Sequence, residues 1–328
     1  MTELTFQTVL DHLLDSKKDI PQSHMQHYSD LDPKSLRLFM DVWSSVPQAR
    51  KTLLLDTLTA HLDDETIVSY EEIGRSLLDD SDGEVRSRAL GLLAESDDPG
   101  LVDTLLKIFQ TDSDLAPRLQ AARLMGEFVL LGELEELEES RLRKIEDALI
   151  AIIRSDELPA LRRAALEAFG YSGRDEAMAI LESGYEREDP LWMAAALRAM
   201  GRSHNVHWTD SVLAKLLDAD PRIRFAAAEA AGELNIEEAG PILLGMLEDE
   251  EEDDEVTMAA IWALSQIGGD DARAYILNLL ETTEDEEMRD FLEGALENLE
   301  FNEELNKFNL LTLDEDDDLS EFDEESPQ

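Results

Sequence analysis

Residues 218–234, DADPRIRFAAAEAAGEL, return in altered form along nearly the whole chain. Asp218 and Asp220 stand where a carboxylate caps a helix start, and Pro221 stands where a missing N–H does no harm. Ile223, Ala227, Ala230 and Ala231 then share one face at helical spacing. A run of alanines this dense lets a helix backbone approach neighbours on more than one side. With Ile223 as position 0, the same signature is led by Val85, Pro117, Leu161, Trp192, Val256 and Met288, and by Ala49 in a weaker copy. The leaders from 85 to 288 stand 32, 44, 31, 31, 33 and 32 residues apart, and Ala49 precedes Val85 by 36. A second apolar helix is expected after each regular signature, over 101–109, 142–153, 177–185, 209–217, 239–247 and 272–280. With a period in the low thirties and two helices per unit, no unit buries its apolar face alone, and stacking does it instead. The expected fold is all-α, an α-solenoid of about eight helix pairs.

The pattern D-x-x-[VIL]-R-x-x-A-x-x-A-[LM]-G, spread over residues 36–299, resembles the HEAT repeat. It is similar in particular to the short HEAT-like repeats of phycobilisome lyases and of many bacterial scaffold proteins. The resemblance implies that the signature helix lines the concave side and that the second helix lies outside. It also implies that the Arg after the leading residue bonds an Asp of the inter-helix turn. Arg50, Arg86, Arg118, Arg162, Arg224 and Arg289 occupy that place, with Asp82, Asp114, Asp156 and Asp220 set to receive them. This reading as a structural ladder outweighs that of an anion-binding row. The copies at Trp192 and Val256 carry Met193 and Thr257 instead, so the ladder is broken there. Scaffolds, lyases, hydroxylases and DNA-repair enzymes share the fold, which therefore does not name a function.

Charge narrows the field. The 328 residues hold 77 Asp and Glu against 28 Lys and Arg, a formal net charge of −49. Binding to nucleic acid needs a basic face, and anionic membranes repel such a surface. Basic protein partners are permitted through steering, and simple solubility explains the acidity equally well. There is no Cys, hence no disulfide, thiolate zinc site or Cys nucleophile. The first twenty residues lack a basic start and a long apolar core, and no run approaches the ~20 apolar residues of a membrane helix. A cytoplasmic protein is expected. No cofactor, metal site or catalytic constellation emerges. His24 and His27, and His204 and His207, are each three apart, but in polar segments that read as surface loops. No His-Glu dipeptide, phosphate-cradling glycine loop or G-x-S-x-G occurs.

Three regions follow: an N-terminal helical cap at 1–31, the repeats at 32–301, and an acidic tail at 302–328. The cap pairs an amphipathic helix (Phe6, Val9, Leu10, Leu13, Leu14) with a loop-like stretch from Pro21 to Asp30. The 44-residue step traces to 129–147, which reads either as a longer outer helix and loop or as a lateral projection. The eight consecutive acids at 248–255 read as a solvated loop, without the spaced ligands and glycine of a calcium-binding EF-hand loop. The tail, with eleven acids and one Lys, reads as disordered. Its Phe308, Leu310, Leu311, Leu313, Leu319 and Phe322 either fold onto a partner or dock back on the last repeat.

The candidate site is the concave face. Positions 2 and 6 of each signature helix point away from the stripe at 0, 4, 7 and 8. They hold Ser87 and Gly91, Leu119 and Arg123, Arg163 and Glu167, Ala194 and Arg198, Phe225 and Glu229, and Met258 and Trp262. Three arginines (Arg123, Arg163 and Arg198) thus stand beside an apolar patch of Phe225, Met258 and Trp262, with Arg202 and Tyr171 nearby. Such residues are favoured at binding surfaces. The expected function is a non-enzymatic interaction scaffold holding a protein partner there, either a basic protein or a short acidic, apolar segment such as the chain's own tail. A lyase-like accessory protein and an acidic chaperone-like binder of basic proteins are the alternatives.

Overall fold

Helices begin where cap and stripe coincide. In the computed structural model, which describes residues 5–320 apart from 16, 18, 65, 66 and 250, and their side chains apart from those of 63, 64 and 306–320, the helices gather in two compact units, Met1–Ser172 and Gly173–Gln328. No strand occurs among the described residues.

In the first unit α1 (Phe6–Leu14) is capped by Thr5 and buries Val9, Leu10 and Leu13. Then come α2 (Pro33–Trp43), α3 (Gln48–Asp64), α4 (Glu71–Leu77), α5 (Gly83–Gly91), α6 (Val102–Thr111), α7 (Leu115–Glu133), α8 (Glu139–Ile153) and α9 (Pro159–Phe169). The signature copies fall on α3, α5, α7 and α9, which pack side by side. In the second unit are α10 (Ala177–Tyr185), α11 (Pro190–Arg202), α12 (Thr209–Leu213), α13 (Pro221–Glu233), α14 (Gly240–Met246), α15 (Asp254–Ile267), α16 (Asp270–Thr282) and α17 (Glu286–Ser320). There α11, α13, α15 and α17 are the signature row, backed by α10, α12, α14 and α16. Asp82, Asp189, Asp220 and Asp253 each accept backbone N–H groups at the start of a signature helix. These side chains satisfy donors the helix leaves open, each worth about 1 kcal/mol.

Several expectations need correction. Pro21 to Asp30 is not a loop: Gln22–Tyr28 forms a 3-10 helix that buries His24, Met25 and Tyr28, because Met25 and Tyr28 fall three apart on one side of a three-residue turn. The boundary at 301/302 meets no break in the helix. With no Gly or Pro between Gly294 and Pro327, α17 runs on to Ser320. Residues 321–328, and with them Phe322, lie outside the described residues. The extra residues of the 44-residue step lengthen α7 and α8 and make no separate projection. The chain turns between them through Glu135 at φ 63°, and Leu142 lies against Gly132.

Packing differs along the row. Alanine offers little area, so α13, which buries Ala226, Ala227, Ala228, Ala230 and Ala231, is held by closeness of approach rather than by large side chains. Gly201 of α11 makes this concrete. A Cβ there would stand 2.9 Å from Ala230 Cα, and one at Gly232 would stand 2.9 Å from Ala263 Cα. Both glycines are at position 9 of the signature.

Candidate functional site

The ladder arginines act across turns, but with partners other than those expected. Each reaches back to a carbonyl before its own helix: Arg86 to Asp80 O (2.7 Å), Arg118 to Phe109 O (2.8 Å), Arg162 to Ile153 O (3.0 Å), Arg224 to Asp218 O (2.8 Å) and Arg289 to Thr283 O (2.9 Å). Arg50 takes the His12 and Leu13 carbonyls at the end of α1, both at 2.7 Å. Three also grip an acid of the following turn. Arg86 holds Asp112 (2.6 Å) and Asp114 (2.9 Å), Arg118 holds Glu157 (2.8 Å), and Arg224 holds Glu252. The assignment of Asp82, Asp156 and Asp220 as acceptors is therefore overturned. Asp82 and Asp220 spend their carboxylates as helix caps, and Asp156 is exposed beside the Glu157 that takes the arginine. Asp114 does receive one, from the preceding repeat. Burial alone would raise the Asp112 carboxyl, but hydrogen bonds from Arg86 and from the Asp114 N–H hold it below the usual carboxylate range. The acidic run is likewise not all solvated, since Glu252 is nearly buried under Arg224 and Asp253 caps α15.

The histidines need one revision. His204 and His207 are exposed, His204 in a turn at φ 47°. His24, however, is buried, its ring 4.9 Å from that of His12. Burial first, then the neighbouring His12 and His27, lower its pKa. Among the described residues no group of three or more His, Cys, Asp or Glu is arranged to hold a metal, and no helix is long and apolar enough to cross a membrane.

Positions 2 and 6 face outward in most copies, as helical spacing requires. In the first unit Arg123 is exposed, Arg163 is half-buried, and Leu119 lines a hollow of about 620 Å³ with Asp82, Glu84 and Asp114 among its walls. In the second unit Ala194 is the exception. It is buried, leaving Arg198 half-buried at position 6 with its guanidinium 3.9 Å from Glu229.

The remaining candidates meet. Phe225, Met258 and Trp262 line one hollow of about 300 Å³ together with Glu229, Glu233, Ala259, Gln266 and Phe291. Met258 is 40% exposed and Trp262 42% exposed. The Trp262 ring lies 6.3 Å from that of Phe291 of α17, tilted by 35°. Four lining residues were missed by reading positions 2 and 6 alone, Ala259 at position 3 among them. Glu233 and Gln266 stand at position 10, one turn farther along the same stripe, and Phe291 stands at position 3 of the last copy. The close approach at Gly201 and Gly232 brings these rows together, and Glu233 and Gln266 lie across the two glycines. In α15 the equivalent of the glycine is Ser265, whose hydroxyl accepts from Asn298 Nδ2 at 2.9 Å, again from position 10.

The family model for HEAT repeats matches residues 146–218 and 209–297. No curated protein matches the chain in sequence. Among solved structures, the complex of CpcE and CpcF of phycocyanin lyase from Nostoc sp. PCC7120 is 19% identical, with 70% of this chain and 94% of that chain covered at a TM-score of 0.46. YibA of Escherichia coli is 14% identical, with 87% and 98% covered at 0.41. Importin beta is 12% identical, with 90% and 46% covered at 0.42. The repeats matched by the family model coincide with α8 to α17, each carrying the signature read from the sequence: over residues 146–297 the chain is built of HEAT repeats.

Proposed function

We propose that this protein is a non-enzymatic interaction scaffold that holds protein partners on the outward face of its signature helices. The observation that carries the reading is Trp262 beside Met258, both left about two-fifths exposed over a hollow, in a row whose other large apolar side chains are mostly buried. A half-exposed Trp costs solubility unless something covers it, and Trp is favoured among residues that dominate binding energy. The hollow supplies no nucleophile–base pair, only apolar walls, two carboxylates and an amide. That suits recognition of a side chain rather than its conversion.

The test is capture of partners by the full chain and by the Met258→Ala/Trp262→Ala double variant, each at low and high salt. A partner held by the parent at high salt and lost by the variant supports the scaffold reading. Proteins that bind both forms alike and leave at moderate salt would refute it in favour of a diffuse charge effect, because exposed ion pairs are screened within ~8 Å.

A further inference from the structure

The lining of the hollow also specifies what it takes. The outward stripe of α13, α15 and α17 can be followed at positions −1, 2, 6 and 10 of each copy. The apolar side chains cluster at the middle of the stripe. Around them stand Glu229 and Glu233 on α13, Glu229 already facing Arg198 of α11 at 3.9 Å, and Glu255 on α15 and Glu287 and Asp290 on α17, all three exposed. The one cation on these positions, Arg222, is engaged by Asp220 at 2.6 Å. Acids therefore surround an apolar centre on three adjacent helices.

We propose that this hollow docks a short basic protein segment, one that seats an apolar or aromatic side chain between Met258, Trp262 and Phe291 and sets Lys or Arg side chains against the surrounding carboxylates. The proposal rests on the scaffold reading and adds the chemistry of the partner. It discards the acidic, apolar occupant suggested by the sequence, including the chain's own tail. An acidic segment laid here would place carboxylates against the exposed Glu255, Glu287 and Asp290, and like charges brought together on desolvation are repelled. The size fits as well. Three helices about 9 Å apart span about 20 Å, the length of about six extended residues. A cavity of about 300 Å³ is enough for one large side chain but not for a folded domain. The apolar centre gives the lasting contact, and the acids give rate of encounter and selection of sign.

The experiment uses the full chain and three fluorescent peptides of about twelve residues: Leu and Trp flanked by Lys, the same anchor flanked by Glu, and Lys flanking only Gly and Ser. The Lys-flanked anchor should bind saturably. Trp262→Ala should weaken it about 30-fold, the level of a hot-spot residue. Because Glu255 and Asp290 are exposed, Glu255→Lys/Asp290→Lys leaves the helices intact, and it should weaken the same peptide about tenfold at low salt and less at high salt. Equal binding of the peptide without an anchor, or preference for the Glu-flanked one, would overturn the proposal. So would indifference to both variants. If these peptides fail while captured partners still depend on Met258 and Trp262, the scaffold reading stands and only the basic segment is lost.

Discussion

Two junctions in this chain solve the same packing problem by different means. Between α5 and α7, Arg86 grips Asp112 and Asp114, and position 9 of the signature is Ala94, just past the end of α5. Between α11 and α13 the arginine is missing, replaced by Met193, and position 9 is Gly201, set against Ala230. One junction takes its register from a bidentate ion pair with little exposure, the other from backbone fit. The first is sensitive to charge, since the Asp112 carboxylate lies mostly out of water and depends on one guanidinium. The second is sensitive to volume, since a single methyl group has no room. Junctions α7–α9 and α13–α15 carry both devices, Arg118 with Gly126 and Arg224 with Gly232. The repeat therefore has two locks, used singly or together, and α15–α17, with Thr257 and Ser265 in their places, has neither and is bridged by the Ser265–Asn298 hydrogen bond.

The sharpest way to break the comparison is to remove the charge lock where it acts alone. Arg86→Ala leaves Asp112, nearly buried, without its counter-ion, and should cost about 3 kcal/mol. Because repeats interact with nearest neighbours, hydrogen exchange should speed up in α5 to α7 and remain unchanged in α11 to α13. Uniform acceleration in both units would show that the junctions are not separable.

The volume lock should yield somewhat less. Gly201→Ala places a Cβ 2.9 Å from backbone at Ala230, so the helices must part, at a cost of about 2 kcal/mol. Gly245→Ala is the control. It lies in α14 with open space around the new methyl, and replacing glycine in a helix interior should stabilise by about 0.5 kcal/mol or more. Denaturant midpoints of the two variants should move in opposite directions.

Acid separates the locks without mutation. The Asp112 carboxyl titrates below its unfolded value, so its contribution is complete above that value and is lost as pH falls through the lowered one. The α5–α7 junction should therefore loosen below about pH 4 while α11–α13 holds. His24 adds an earlier, smaller effect in the same direction. Its folded pKa lies below about 6.5, so the unfolded chain binds a proton first, and stability should begin to fall as pH drops below about 6.5. Hydrogen exchange of α1 and of Gln22–Tyr28 against pH would detect it, and His24→Gln should flatten that part of the profile.

Much of this was visible in the sequence, for a definite reason. A signature repeated at a near-constant step fixes the register of each helix, so the outward positions of α13 and α15 could be read before any coordinate. Phe225, Met258 and Trp262 do meet. What periodicity does not encode is which residue comes opposite in the next repeat. Asp220 looks like the partner of Arg224 because it lies four residues away, yet its carboxylate is already committed to the helix N-terminus, and the arginine turns to Glu252 instead. His24 looked like a surface residue because its neighbours Ser23 and Gln26 are polar. Its burial comes from α1 folding over it, a contact that no local pattern records. The sequence leaves two occupants open, a basic protein or an acidic, apolar segment, for a similar reason. Arg123, Arg163 and Arg198 dominate a list of outward positions, but Glu233 at position 10 and the acids on α17 enter only when the stripe is followed to its end.

That difference between the two lists suggests the mildest test. The outward face of the first unit shows Arg123, exposed, and Leu119 at the edge of an acid-walled hollow, whereas that of the second shows an apolar centre among acids. If the two faces recognise different chemistry, Arg123→Glu should leave stability within about 0.5 kcal/mol, as an exposed substitution does, and leave the affinity of the Lys-flanked peptide unchanged. An equal number of charges would by contrast change the affinity if only the summed field mattered, since Arg123→Glu adds two negative charges to the chain, just as Glu255→Lys removes two. Titrations of the two variants side by side, at one ionic strength, separate a local site from the average charge of the molecule. Equal and opposite shifts would mean that −49, rather than the ring around Trp262, selects the partner.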